Sequence, residues 1–356
     1  MVAPKSNHRL RVKGPVRPRT RMGEPRSVVI TGAARGLGFA SAVRLYREGW
    51  QVVAAMRTPD RGMPLLREAT RAGEDDDRLI GVSLDLMDMG SITNAAKAIE
   101  ERVGAPYAVV HNAGISSAGM AEETDVGLWQ RMFATHVIGP VALTNALLPS
   151  MRTAGEGRIV LVCSSAGVRG QPGTAPYSAS KGAMERWGES LAVEIAPFGL
   201  GVTVLITGTY DTDIITDAGT TDDRDFGGPY ARLHQTMNAR GRSAMKLARS
   251  PERFADGLVK ALADRGPFRR HGVGLDASML LVSNRFLPSS GMHHMSRIVL
   301  GIPRQGSMRD GAYPLTTAQK AMVLATKVIP QPVMQRIVAA VTKRSAARQP
   351  SPQQND

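Results

Sequence analysis

Short apolar runs rich in β-branched residues alternate along the chain with longer stretches whose apolar positions recur every three to four residues. The runs are Ser27-Val-Val-Ile-Thr31, Gln51-Val-Val-Ala-Ala55, Leu79-Ile-Gly-Val-Ser-Leu84, Tyr107-Ala-Val-Val110, Ile159-Val-Leu-Val-Cys163 and Gly201-Val-Thr-Val-Leu-Ile206. Each is continuous rather than alternating, which predicts a buried strand of a parallel sheet. The intervening stretches predict helices from about Phe39 to Glu48, Ser91 to Val103, Val126 to Met151 and Pro176 to Ala196. Further helices are expected from Tyr230 to Leu247 and, after the Ser250-Pro251-Glu252 start signal, to Asp264. Arg269 to Val273 is expected as a final edge strand. Strand and helix in strict alternation predict a doubly wound α/β sheet with helices on both faces.

The ends of the chain differ from this core. Of the net charge of +14, residues 1–26 contribute eight Lys/Arg against one acid and residues 287–356 nine against two. The core between them carries 28 of each sign, so the basic character belongs to the ends. No aromatic residues interleave the basic ones at the N-terminus, and no nucleic-acid partner is expected. Residues 1–26 read as a disordered basic arm, 27–276 as the sheet domain, 277–342 as a helical C-terminal extension and 343–356 as a disordered tail. Within the extension, Met279 to Pro288, Met292 to Leu300, Ala318 to Ile329 and Val333 to Val341 carry helical apolar patterning with cations between. Packing on a pocket mouth, a subunit contact and a weak peripheral membrane contact are its three readings. The single cysteine, Cys163, allows no disulfide within one chain and predicts a reducing, cytoplasmic setting. No eighteen-residue apolar run marks a membrane span.

Two constellations carry chemistry. Gly32-Ala-Ala-Arg35-Gly36-Leu37-Gly38 lies between the first strand and the first helix. Glycines there let backbone N–H groups approach a pyrophosphate at a helix N-terminus, the context of a dinucleotide-binding fingerprint. Farther on, Ser164 ends a strand, and Tyr177 and Lys181 follow at a spacing that places both on one face of a helix. A free phenol titrates near ~10, and bringing it to ~7 costs roughly 4 kcal/mol. An ammonium at ~4 Å supplies about that much at an effective dielectric of ~20, so Lys181 is expected to depress the Tyr177 pKa. The competing reading of Tyr-x-x-x-Lys is an exposed helical pair. No histidine, cysteine or carboxylate cluster shows metal-ligand spacing.

These motifs resemble the short-chain dehydrogenase/reductase family in its single-domain form, over about residues 27–276. The family's Thr-Gly-x-x-x-Gly-x-Gly corresponds to Thr31 through Gly38, and its Asn-Asn-Ala-Gly turn to His111-Asn112-Ala113-Gly114 with the first residue changed. The resemblance implies a Rossmann-type fold and hydride transfer between a nicotinamide cofactor and a carbonyl or secondary alcohol. Tyr177 would be the general acid/base, Lys181 its activator and ribose ligand, and Ser164 a hydrogen-bond partner of the substrate oxygen. Asp85 would contact the adenine, with turn formation as the alternative, and Gly208 and Thr212 would face the nicotinamide.

The chain also departs from the family pattern. Where the family places an asparagine that holds a water beside the lysine, this chain has His136. Either a proton relay through His136 or a packed helix histidine would follow. Thr207 replaces a family proline. Arg57 follows the second strand where an acidic residue would select NAD(H), and with Arg35 it favours NADP(H) over NAD(H), unless Arg57 only faces solvent. The acidic, glycine-containing stretch 211–230 reads as a mobile loop over the substrate, with Ile214, Ile215, Phe226 and Tyr230 as apolar contacts. Similarity of residues 250–300 to hydroxysteroid and retinol dehydrogenases implies a lipophilic substrate, and a homo-oligomer is expected. A non-catalytic cofactor-binding sensor or scaffold on the same fold is the alternative.

Overall fold

In a computed structural model, residues 25–212, 219–246 and 248–309 are described. Seven strands form one parallel sheet: β1 (Ser27–Thr31), β2 (Gln51–Met56), β3 (Leu79–Ser83), β4 (Ala108–His111), β6 (Gly157–Ser164), β7 (Leu200–Thr207) and β9 (Phe268–Val273). Their order is β3-β2-β1-β4-β6-β7-β9. The chain winds outward in one direction from β1 and in the other from β4, so a crevice opens between these neighbours at their C-terminal ends. Every residue of β1, β4 and β7 is buried, which explains why the strands read as unbroken apolar runs.

Helices cover both faces. α1 (Gly36–Arg47), α2 (Pro59–Thr70) and α9 (Pro251–Leu262) belong to one layer, where Leu45, Leu66 and Phe254 are fully buried. α3 (Met89–Val103), α5 (Gly139–Ala154) and α7 (Ala175–Ile195) form the other, around Ile99, Leu143, Leu147 and Met184. The expected long helix 126–151 is α4 (Val126–Phe133) and α5 joined by one π turn, Ala134–Ile138. This continuous run is apolar enough to span a bilayer by composition, with mean hydropathy 1.3, but Leu143, Leu147 and Met151 are fully buried in the core.

A second ladder was not expected. β5 (Ser116–Ala118) pairs in parallel with β8 (Thr220–Asp222), so part of the acidic stretch 211–230 is an ordered strand. α6 (Ser165–Val168) is a single turn after β6, and α8 (Ala231–Met245) follows β8. α10 (Leu275–Phe286) and α11 (Ser289–Leu300) continue the compact unit to Gly301, so the expected boundary after Asp276 falls inside α10. Residues 1–24 of the expected arm, the patterned segments 318–329 and 333–341, the tail, and Ile214 and Ile215 lie outside the described residues, whereas Arg26, expected in the disordered arm, donates to Glu156 at 2.7 Å.

Candidate active site

The β1–α1 loop is built by backbone geometry. Gly32 and Gly36 have φ of +70° and +55°, a region that side chains rarely adopt. Gly38 has an ordinary φ but no room: a Cβ there would meet the Gly32 carbonyl oxygen at 2.3 Å and Asn112 Nδ2 at 2.5 Å. Asn112 Nδ2 in turn donates to the Thr31 carbonyl at 3.0 Å, and Thr31 Oγ1 accepts from Asn112 N and Ala113 N at 3.0 Å. The first and fourth strand ends are thereby tied together beneath the loop.

Above them runs a groove of about 270 Å³, lined by Gly32, Arg35, Gly36, Leu37, Arg57, Asp85, Asn112, Ala113, Gly114 and Thr212. Its glycine cradle at a helix N-terminus fits the pyrophosphate of a dinucleotide. Asp85 belongs to a turn: its Oδ1 accepts from Met87 N at 2.9 Å while its backbone N–H donates to Ser91 Oγ. The groove shares Leu37, Asn112, Gly114 and Thr212 with a cavity of about 950 Å³. That cavity brings together Ser164, Tyr177, Lys181 and Gly208. A nicotinamide dinucleotide laid along the groove would deliver its ring to this cavity.

Burial raises the Tyr177 pKa, with a Ser164 hydrogen bond acting the other way. The phenol is therefore a protonated donor at neutral pH, and the expected depression by Lys181 does not appear. Lys181 is itself buried and donates from Nζ to the Val162 carbonyl at 2.8 Å. Desolvation lowers its pKa. Ser164, at the end of β6, accepts from Ala166 N at 3.2 Å, which pins its hydroxyl. An acid and a second hydrogen-bonding hydroxyl converging on one cavity can polarise a carbonyl and protonate its oxygen.

The relay through His136 does not fit its surroundings. Its Nε2 accepts from Ile115 N at 3.1 Å, which leaves the proton on Nδ1, 2.8 Å from Ser180 Oγ. Both nitrogens are thus engaged by protein groups. Burial and the nearby Lys181 charge hold its pKa well below 6.5, so it stays neutral. The ring meets Tyr177 edge-on at 5.6 Å between centroids, and Ser180 Oγ also donates to the Tyr177 carbonyl at 3.0 Å. His136, which lies within the π turn, packs against the tyrosine. His111 bonds Thr144 Oγ1 through Nε2 at 2.7 Å, and burial followed by Lys181 lowers its pKa to about 3. Cys163 is a packed thiol, pushed up to about 12 by burial.

Thr207, where a proline was expected, donates its hydroxyl to the Cys163 carbonyl at 2.8 Å. At Gly208 a Cβ would collide with the Asp276 carboxylate, which accepts from Thr209 N at 2.8 Å. Thr212 lies over the glycine loop, its Cβ and Cγ2 each 3.5 Å from where a Gly36 Cβ would be.

The substrate side of the cavity comes from residues that the sequence pattern did not single out. Met237, Arg242 and Met245 of α8 and Lys246 just past its end line it, whereas Phe226 and Tyr230 do not. His234, on the same helix, bonds both Glu123 oxygens through Nε2 at 2.9 and 2.8 Å. Burial opposes ionisation of Glu123, but the His234 and Met120 hydrogen bonds prevail and lower its pKa. The eight-residue spacing of the two methionines on α8 was the available signal, since it repeats one helical face.

Residues 26–223 match the short chain dehydrogenase family. A dehydrogenase/reductase SDR family member 7B from Xenopus laevis is 33% identical over 241 residues, 67% of this chain and 71% of that protein. The uncharacterized oxidoreductase YusZ of Bacillus subtilis is 34% identical over 186 residues, 52% of this chain, and the match spans 65% of that protein's length. A solved short-chain dehydrogenase from Streptomyces avermitilis superposes with a TM-score of 0.66 at 28% identity, covering 78% of this chain and 98% of that one. The glycine loop, the switch-point crevice and these likenesses agree: this chain is a member of the short-chain dehydrogenase family.

Proposed function

We propose that the protein is an NADP(H)-dependent oxidoreductase acting on a carbonyl or secondary alcohol of a lipophilic small molecule. The observation that carries the reading is that Ser164, Tyr177 and Lys181 line one cavity continuous with the glycine-loop groove. The cofactor, when bound, exchanges a hydride with the substrate carbon. Tyr177, kept protonated by burial, donates to the carbonyl oxygen during reduction, and Ser164 hydrogen-bonds that oxygen. Lys181 supplies a buried cation and the ammonium donor for a ribose hydroxyl. Largely apolar walls, with Met237 and Met245 among them, support the lipophilic substrate.

For the phosphorylated cofactor the support is Arg35 in the glycine loop and Arg57 just past β2, both lining the groove, with no acid ending that strand. Equilibrium titration with NADPH and NADH tests this, and tighter NADH binding would refute it. Oxidation of NADPH in the presence of a carbonyl panel tests the activity; no turnover by folded protein would leave the sensor reading. That alternative drew on the departures at 111, 136 and 207, yet each of these side chains has a local bonding partner.

The quaternary reading rests on α10, where Leu275, Met279, Val282 and Phe286 recur on one face and are 58–75% exposed. We propose a homo-oligomer that covers this stripe, in a reducing cytoplasmic compartment. Light scattering that finds a monomer, together with binding to anionic vesicles, would favour the membrane contact instead.

A further inference from the structure

Two cations on the substrate cavity remain without a role in hydride transfer. Arg242 and Lys246 are four residues apart at the end of α8, exposed on the molecule yet lining the cavity that holds Tyr177. They do not line the glycine-loop groove, where the cofactor phosphates would lie. Neither has an ion-pair partner among the described residues. The one carboxylate among the described residues of the cavity wall, Asp222, is already held by Arg224 through Nε at 2.6 Å. Arg224 is further engaged by Asn238. Arg240, two residues before Arg242, is used differently, donating to the last carbonyls of α11. The cavity therefore has apolar walls, an acid/base pair at its base and an uncompensated positive pair at its rim.

We propose that Arg242 and Lys246 form an anion-binding station at the cavity mouth, which selects lipophilic carbonyl or alcohol substrates carrying an acidic group at the end remote from the reacting carbon. The inference rests on the oxidoreductase reading for where the reaction occurs. Cations in a last turn also complement a helix dipole, but that role alone would leave ligand binding indifferent to ligand charge.

The test measures equilibrium binding of decanoate and of decanol to the full chain saturated with NADPH, for wild type and Arg242→Gln/Lys246→Gln. Both positions are exposed, so the variant is expected to fold. Wild type should prefer decanoate by about tenfold, and the variant should lose most of that preference, as two partly screened ion contacts allow. The preference should shrink with added salt. Equal binding of the two ligands by wild type overturns the proposal, as does a preference that survives in the variant. An NADPH Kd that weakens as much as decanoate binding also overturns it, because the cations would then serve the cofactor. Turnover of a medium-chain oxo acid against its methyl ester separates the two readings. Reduction of both with equal kcat/KM refutes the station alone, whereas reduction of no carbonyl refutes the oxidoreductase reading while the binding result stands.

Discussion

The floor and the roof of the site are built by different physics. The floor consists of the β1–α1 loop and the C-terminal ends of β1, β4 and β6, where backbone groups and buried polar side chains are closely packed around Asn112, His136 and Lys181. The roof consists of the β5–β8 ladder and α8, with α8 joined to the loop after β5 by the Glu123–His234 contact and to Arg224 after β8 through Asn238. A substitution in the floor is expected to disturb the strand ends against which Ser164 and, from α7, Tyr177 and Lys181 are set. One in the roof changes only what covers the substrate. A floor of strand ends and α7 for the chemistry, and a separately attached cover for selectivity, is a division that mutation can test.

The largest effect on cofactor binding is expected at Gly38→Ala. The new Cβ would lie 2.3 Å from the Gly32 carbonyl oxygen and 2.5 Å from Asn112 Nδ2, which is itself tied to the Thr31 carbonyl. NADPH affinity should fall by more than about a hundredfold, with about 1–3 kcal/mol of stability lost to overpacking; titration of a folded variant that binds normally would break the floor account.

The buried histidines come next. His111 and His136 are neutral in the folded protein but titrate near the ordinary 6.5 when unfolded. Their folded pKa values are depressed, so this stability is present above about 6.5 and is lost as the pH falls below it. The two together should cost about 2 kcal/mol between pH of about 6.5 and about 5.5. Urea midpoints across that range should fall less steeply in His111→Asn than in wild type, and parallel curves would contradict the assignment.

Arg57→Gln should weaken NADPH binding by about tenfold while NADH binding changes little, as loss of one charged contact to a phosphate implies. The smallest effect belongs to the roof. Glu123→Gln should raise substrate KM by about threefold, the scale of one weakened hydrogen bond, and leave the cofactor Kd unchanged. A matching loss of cofactor affinity would show that floor and roof are not separate.

This division also explains what could be read from the chain. The sheet is legible because parallel strands are buried on both faces, and the cofactor loop because its glycines respond to backbone geometry at Gly32, Gly36 and Gly38. His136 was open to two readings because Ile115 and Ser180, 21 and 44 residues away, converge on it only in the fold. The Tyr177 pKa went the other way because local spacing reveals a nearby lysine but not burial or the Val162 carbonyl that engages it. In the roof α8 was legible from its patterning, but the β5–β8 ladder was not, because loop composition hides a three-residue strand whose partner lies about a hundred residues earlier.

Steady-state and binding measurements on Tyr177→Phe test the central claim most directly. Removal of the donor hydroxyl should lower kcat/KM for NADPH-dependent carbonyl reduction by about 10²–10⁴-fold. NADPH affinity should remain near that of the wild type. Undiminished reduction by the variant would contradict the assignment of Tyr177 as the proton donor.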